Sequence, residues 1–227
     1  MKKYFLIYND GTHIHYNNKL LDSIKRHAPD FEVIIFDKKD IDGEFTVKNK
    51  RILELPRGGG YWLWKPYIIN ETLKRLEEGD LLFYCDSKYF FIEEFSELYR
   101  EPLTRKDVII WKNKPNEPVW FMRNWCKMSV IEKYGMKDRV FKEQAIDCWA
   151  GCIVLKKTEF SSNFIKEWLD MSCIYEDITD SPSSIPNSIQ FRDHRHDQSL
   201  LSIQLHKYNI DMETFEKRYL QNVRCPF

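Results

Sequence analysis

Five consecutive apolar residues, Leu81 to Cys85, run straight into a carboxylate at Asp86. A segment apolar at every position, rather than at alternate ones, suits a strand covered on both faces, as strands of parallel sheets are. Ligands of open α/β sheets bind at the carboxyl ends of such strands. An acidic residue at that end either faces a ligand or caps the turn that follows, and spacing alone leaves both roles open for Asp86.

The surrounding sequence alternates strand and helix signals. Residues 4–8 form a short apolar strand that stops at the turn signal Asn9-Asp10-Gly11. Leu20, Leu21 and Ile24 make a helical stripe over about residues 16–27, closed by Pro29. Residues 32–36 are a second strand, ending on Asp37. Strand, helix and strand at this spacing predict a βαβ unit with a right-handed crossover. A connecting segment, 38–60, leads to Trp64-Lys65-Pro66, after which Ile69, Leu73 and Leu76 follow at helical spacing and stop at Glu78-Gly79. Further strands are expected at 107–111 and 151–155, and helices at 123–134 and 159–170. A polar Ser/Pro-rich loop at 179–188 precedes a last helix, N-capped by Asp197 and carrying Leu201, Leu205 and Tyr208. With no repeat and no dividing linker, residues 1–227 read as a single α/β domain, long enough to bury a substantial core.

Composition removes several function classes. Lys plus Arg and Asp plus Glu both number 35, so a nucleic-acid partner held by bulk electrostatics is not expected. Aromatic residues reach 15%, which requires either an aromatic core or a surface that stacks on ring-shaped ligands. The six cysteines, at 85, 126, 148, 152, 173 and 225, contain no C-x-x-C pair, which argues against a zinc ribbon. The amino-terminal apolar run is five residues, and no stretch approaches the roughly 18 apolar residues of a membrane span. A reduced, cytoplasmic protein is the expectation.

Four blocks carry a resemblance. R-G-G-G-Y-W-L-W-K-P-Y-I-I at 57–69, G-D-L-L-F-Y-C-D-S-K at 79–88, A-G-C-I-V-L-K-K-T at 150–158 and H-R-H-D-Q-S-L-L-S at 194–202 follow in order. Together they resemble small bacterial GT-A-fold glycosyltransferases of the surface-polysaccharide type, encoded with capsule or lipopolysaccharide genes. These are distantly similar to glycogenin-like and lipopolysaccharide galactosyltransferases. The resemblance implies an α/β GT-A fold with a mostly parallel central sheet flanked by helices. It implies hexosyl transfer from a nucleoside-diphosphate sugar to a hydroxyl of a saccharide or lipid-linked acceptor. A lipid-linked acceptor would bring the protein to the inner face of a membrane as a peripheral partner. The rival reading is a catalytically inactive sugar- or nucleotide-binding protein on the same fold, with Asp86-Ser87-Lys88 as the mark of lost chemistry. A nucleotidyltransferase is set aside, because N-D-G-T-H-I stands where its glycine-rich, arginine-containing loop belongs.

The reaction implied by the resemblance builds negative charge on a leaving diphosphate, which needs a cation nearby. The family's Asp-x-Asp motif holds that cation; Asp86 matches its first residue and Lys88 replaces its second. Two hypotheses follow. Asp86 holds Mn²⁺ or Mg²⁺ with His194 or His196, or Lys88 neutralises the diphosphate and no metal is needed. Lys65, near a helix N-terminus, is expected to approach the donor, as are Tyr8 and Asp37 at strand ends. Ala150 and Gly151 would make room for the donor sugar by lacking bulk. Arg195, a bidentate phosphate ligand, and Gln198 would complete the donor site. Asp147 and Asp197 are the candidate catalytic carboxylates, Asp147 as a base towards the acceptor. Trp62, Trp64, Trp120 and Trp125 are the candidate acceptor surface.

Overall fold

The computed structural model describes residues 1–11, 14–113, 117–214 and 219–222. Strands β1 (Lys3–Asn9) and β2 (Glu32–Asp37) flank helix α1 (Ile14–His27), which gives the expected βαβ unit. Residues 38–61 hold four short helical turns and lead to α2 (Trp64–Leu73). Then come β3 (Leu81–Cys85), β4 (Tyr89–Phe91), β5 (Val108–Lys112) and β6 (Cys148–Lys156). Helices α3 (Glu159–Ser172) and α4 (Asp197–Lys207) follow, with the short strands β7 (Glu213–Thr214) and β8 (Leu220–Asn222) after them.

The main sheet has the order β2-β1-β3-β6-β5-β7, and β4 pairs separately with β8. β1 is parallel to both β2 and β3, β5 is parallel to β7, and β6 runs antiparallel between β3 and β5. Five strands therefore point one way and one points back. That reversal matters for the site. It brings the first residues of β6 to the carboxyl end of β3, with Cys85 opposite Cys152 and the Asp86 amide donating to the Gly151 carbonyl at 2.9 Å.

Every residue of β3 is buried, as its unbroken apolar run requires. Its alternate side chains enter two cores. Leu81, Phe83 and Cys85 join α1 and a phenylalanine cluster, while Leu82 and Tyr84 join the core under α2, α3 and α4. Much of the aromatic excess lies in the first of these. Phe5 stacks on Phe83 at 5.0 Å between centroids and Phe91 on Phe95 at 3.7 Å, all four almost without solvent contact.

Local departures have local causes. The helix expected at 123–134 is two short ones, Met122–Trp125 and Met128–Lys133, because Cys126 is extended between them. At residues 58–62 five successive residues have positive φ. Glycine accepts this freely at the first three, and the closed packing of Gly60, whose added Cβ would lie 2.7 Å from the Leu53 backbone, excludes a side chain there. The five described cysteines are free thiols, and Cys225 lies outside the described residues. No described helix is long and apolar enough to cross a membrane.

Candidate active site

The site is built around a buried lysine. Lys65, in the first turn of α2, is 4% exposed. Its ammonium lies 3.0 Å from Asp197, 3.4 Å from Asp86 and 3.2 Å from the Ala150 carbonyl, which accepts a hydrogen bond from it. Burial alone would pull this ammonium down, but the carboxylates of Asp197 and Asp86 outweigh burial and hold it above the usual lysine range. Asp86 also accepts a hydrogen bond from the Tyr84 hydroxyl at 2.7 Å and pairs with Lys88 at 3.3 Å. Burial pushes the Asp86 carboxyl up; Lys65, Lys88 and the Tyr84 hydroxyl together overcome that and hold it below the ordinary carboxylate value. Asp197 has one ammonium partner and is more enclosed, so burial wins and its carboxyl is raised.

Asp197 is thus not the N-cap of α4. It is the first residue of that helix, His196 precedes it at φ 56°, and no side chain caps the end. A positive φ is costly outside glycine and persists only where its surroundings fix it. Here the surroundings are plain. The His196 Nδ1 donates to the Ile178 carbonyl at 2.7 Å and its ring packs against Tyr61 and Trp62. The His194 Nε2 donates to the Asp177 carbonyl at 2.6 Å, while its Nδ1 accepts from the Lys127 amide at 3.4 Å.

Both imidazoles therefore grip the backbone of residues 177–178 rather than a metal. Burial holds His194 well below the ordinary histidine value and pushes His196 down to about 4, so both are neutral anchors at physiological pH. The metal set Asp86, His194 and His196 does not assemble: both nitrogens of His194 have protein partners, and Asp86 sits between two ammonium groups. Among the described residues no group of three His, Cys, Asp or Glu side chains is placed to hold a metal ion.

The same segment is held from other sides. Arg57 donates from Nη1 to both oxygens of Asp180 and from Nη2 to Asp193, and the Tyr61 hydroxyl donates to Asp180 at 2.9 Å. The buried Lys127 ammonium donates to the carbonyls of Glu176, Thr179 and Ser181. These residues fix the approach to Asp197 without touching the Lys65 cluster.

Asp147 has no solvent exposure. It accepts hydrogen bonds from the Ser202 hydroxyl at 2.8 Å, the Gln198 amide and the Asn113 amide at 3.4 Å. Burial raises its carboxyl to about 7. A base towards an acceptor must reach the acceptor's proton, and a carboxylate sealed inside the protein does not. Gly151 also departs from its expected role. The space a side chain would occupy is taken by the Trp149 indole, 2.6 Å from an added Cβ, so the missing bulk admits this ring rather than opening the sugar site. Ala150 remains at the cluster through its carbonyl on Lys65 and its amide, which donates to the Gln198 oxygen at 3.3 Å.

Tyr8 and Asp37 stand at the neighbouring strand ends. The Tyr8 ring stacks on Trp64 at 3.9 Å, and Asp37 accepts from the Asn9 amide at 2.7 Å. Trp64 thus lies on the β1 side, its indole N–H bonded to the Gly58 carbonyl, and Trp62 packs on His196. Trp120 and Trp125 stack on each other at 5.6 Å, and the Arg195 guanidinium lies 4.3 Å over Trp125. The four tryptophans do not form one surface; among the described residues the two pairs share no ring contact. Arg195 Nε is buried without a hydrogen-bond partner.

Sequence reasoning missed Tyr84, Ser202, Asn113, Arg57, Tyr61 and Asp180. Only Tyr84 carried a local signal: two residues before Asp86 on extended backbone, it must point to the same side.

No protein-family model and no curated protein sequence matches the chain. Solved structures do. The glycosyltransferase GlyE in Streptococcus pneumoniae TIGR4 superposes with a TM-score of 0.51 at 13% identity over 96% of this chain and 46% of that one. The apo WbbM bifunctional glycosyltransferase gives 0.55 at 11% identity over 94% and 38%. The chain spans less than half the length of either. At this identity the likeness concerns the backbone arrangement: the chain has the fold of the GT-A-type glycosyltransferases.

Proposed function

We propose that the chain transfers a hexosyl group from a nucleoside-diphosphate sugar to a hydroxyl of a saccharide or lipid-linked acceptor, in surface-polysaccharide synthesis, without a divalent metal. The observation that carries this reading is the convergence of Lys65, Asp86, Asp197 and the start of β6 at the carboxyl end of the central strand. Lys65 bridges two carboxylates side by side, and carboxylates are strong acceptors for sugar hydroxyls. The leaving diphosphate needs positive charge that is not already spent. Lys65 is enclosed by its two partners, whereas the Lys88 side chain is 39% exposed. Lys88 would meet the diphosphate in place of a metal. Tyr8, Trp64 and Asp37 line the strand ends where the nucleotide would stack, and Trp120, half-buried and stacked on the buried Trp125, would meet the acceptor.

The test is a panel of nucleoside-diphosphate sugars, screened by thermal stabilisation and by mass spectrometry of released nucleotide in excess EDTA. At least one donor should stabilise the protein and be turned over, and Asp86→Asn should keep the fold and lose turnover. Binding without nucleotide release in either EDTA or Mn²⁺ would make this a binding protein on the same fold. Release only with Mn²⁺ would overturn the metal-free mechanism.

A further inference from the structure

The Gln198 amide is clamped at both ends. Its nitrogen donates to Asp147 and its oxygen accepts the Ala150 N–H at 3.3 Å. An amide has two donor hydrogens and two acceptor lone pairs, so one of each stays unused by these bonds. Gln198 is half-buried and follows Asp197 directly on α4. The carboxylate that selects this amide orientation is itself locked: Ser202, one turn along α4, donates to its other oxygen and Asn113, past the end of β5, donates from a third side. The Ser202 hydroxyl also accepts the Cys148 amide, and the Asn113 amide donates to the Cys148 carbonyl, so α4, β5 and β6 all bear on one buried group.

The geometry points to Asp147 as a positioning residue: its ionised carboxylate holds the Gln198 amide with nitrogen inward and oxygen on Ala150, and protonation of Asp147 loosens that grip beside Asp197. This inference rests on the sugar-transfer reading for its consequence, but not for its structural content. A bond from an amide to an ionised acceptor is shorter and stronger than one to a neutral acid. The charged and titratable groups bearing on Asp147 are Arg195 just before α4, Asp197 at its start, Cys126 in the bend before Met128–Lys133, and Cys148 at the start of β6. Arg195 favours the ionised form and Asp197 opposes it; burial pushes both thiols up, so they stay neutral. With burial opposing ionisation, the carboxyl titrates at about 7, where a change in cellular pH has an effect.

The experiment is a ¹⁵N NMR titration of the Gln198 side-chain amide, assigned by its loss in Gln198→Asn, from about pH 5 to about pH 9. The Gln198 resonance should follow a single titration in the wild type and none in Asp147→Asn. Ser202→Ala, which removes one donor from the carboxylate, should move the midpoint upward. The second readout is donor turnover: kcat should rise with pH through the same midpoint in the wild type, and that limb should vanish in Asp147→Asn. A Gln198 signal that stays constant across the range in the wild type would overturn the proposal, whether or not Asp147→Asn folds. So would a Ser202→Ala midpoint that does not move. A titrating amide in a protein that turns over no donor would instead count against the sugar-transfer reading alone.

Discussion

The Lys65 ammonium stands 3.0 Å from the Asp197 carboxylate, and this contact joins the first turn of α2 to the first turn of α4 across the end of β3. With Asp86 at 3.4 Å, the lysine is the counter-charge that lets two buried acids coexist.

Removing it should therefore cost more than its own packing. Lys65→Met keeps the stem and deletes the charge, leaving the enclosed Asp197 without a counter-charge and Asp86 with Lys88 alone. Breaking a buried pair from one side typically costs about 3–5 kcal/mol. Urea denaturation at neutral pH should show a loss of that size, shrinking as pH falls and the acids take up protons.

Lys88 should act on ligands rather than on the fold. It is the exposed partner of Asp86, so Lys88→Met should leave the melting temperature nearly unchanged while weakening nucleoside-diphosphate binding by roughly tenfold. Calorimetric titration in excess EDTA measures this, and wild-type affinity should be the same with and without the chelator.

Asp147 gives stability a pH slope of known sign. Its folded carboxyl titrates at about 7 against an ordinary value of 3.8, so the folded state binds the proton more tightly than the unfolded chain does. Stability from this group is complete below the unfolded value and is lost as pH rises to about 7, by an amount on the order of 4 kcal/mol. The stability difference between wild type and Asp147→Asn should trace that fall and then level off.

His196 gives the opposite slope. Its pKa is pushed down to about 4 from 6.5, so below 6.5 the unfolded chain takes a proton that the folded one refuses. Stability should fall as pH drops across this interval, by about 3 kcal/mol at most. His196→Asn keeps a donor for the Ile178 carbonyl without the titration, and its acid limb should be flatter by that amount.

Gly60→Ala tests the glycine turn. The residue has φ 94° and no room beside Leu53, so the substitution combines backbone strain with a clash. A loss of more than about 1 kcal/mol in urea denaturation is expected.

The strand-and-helix frame was legible because burial leaves a periodic trace. The unbroken run of β3 announced a central strand, the stripe Leu20, Leu21 and Ile24 announced α1, and the start of α4 was expected within one residue, at Gln198 instead of Asp197. Resemblance supplied the GT-A arrangement, and it correctly drew Lys65, Asp86 and Asp197 to one end of the sheet. What each side chain does there was not legible. Asp197 looks like a cap because local sequence shows only the helix it begins, while its partner lies on another helix. His194 and His196 look like ligands because sequence shows two imidazoles and not the carbonyls of residues 177–178 that accept from them. Asp147 looks like a base until α4 and β5 close over it, and Gly151 looks like an opening until the Trp149 ring fills it. Hydrophobic pattern is a property of neighbours along the chain, so sequence determined the layers. Hydrogen-bond partners, enclosure and proton affinity depend on groups brought together from distant segments, so only the tertiary structure decided the chemistry of the site.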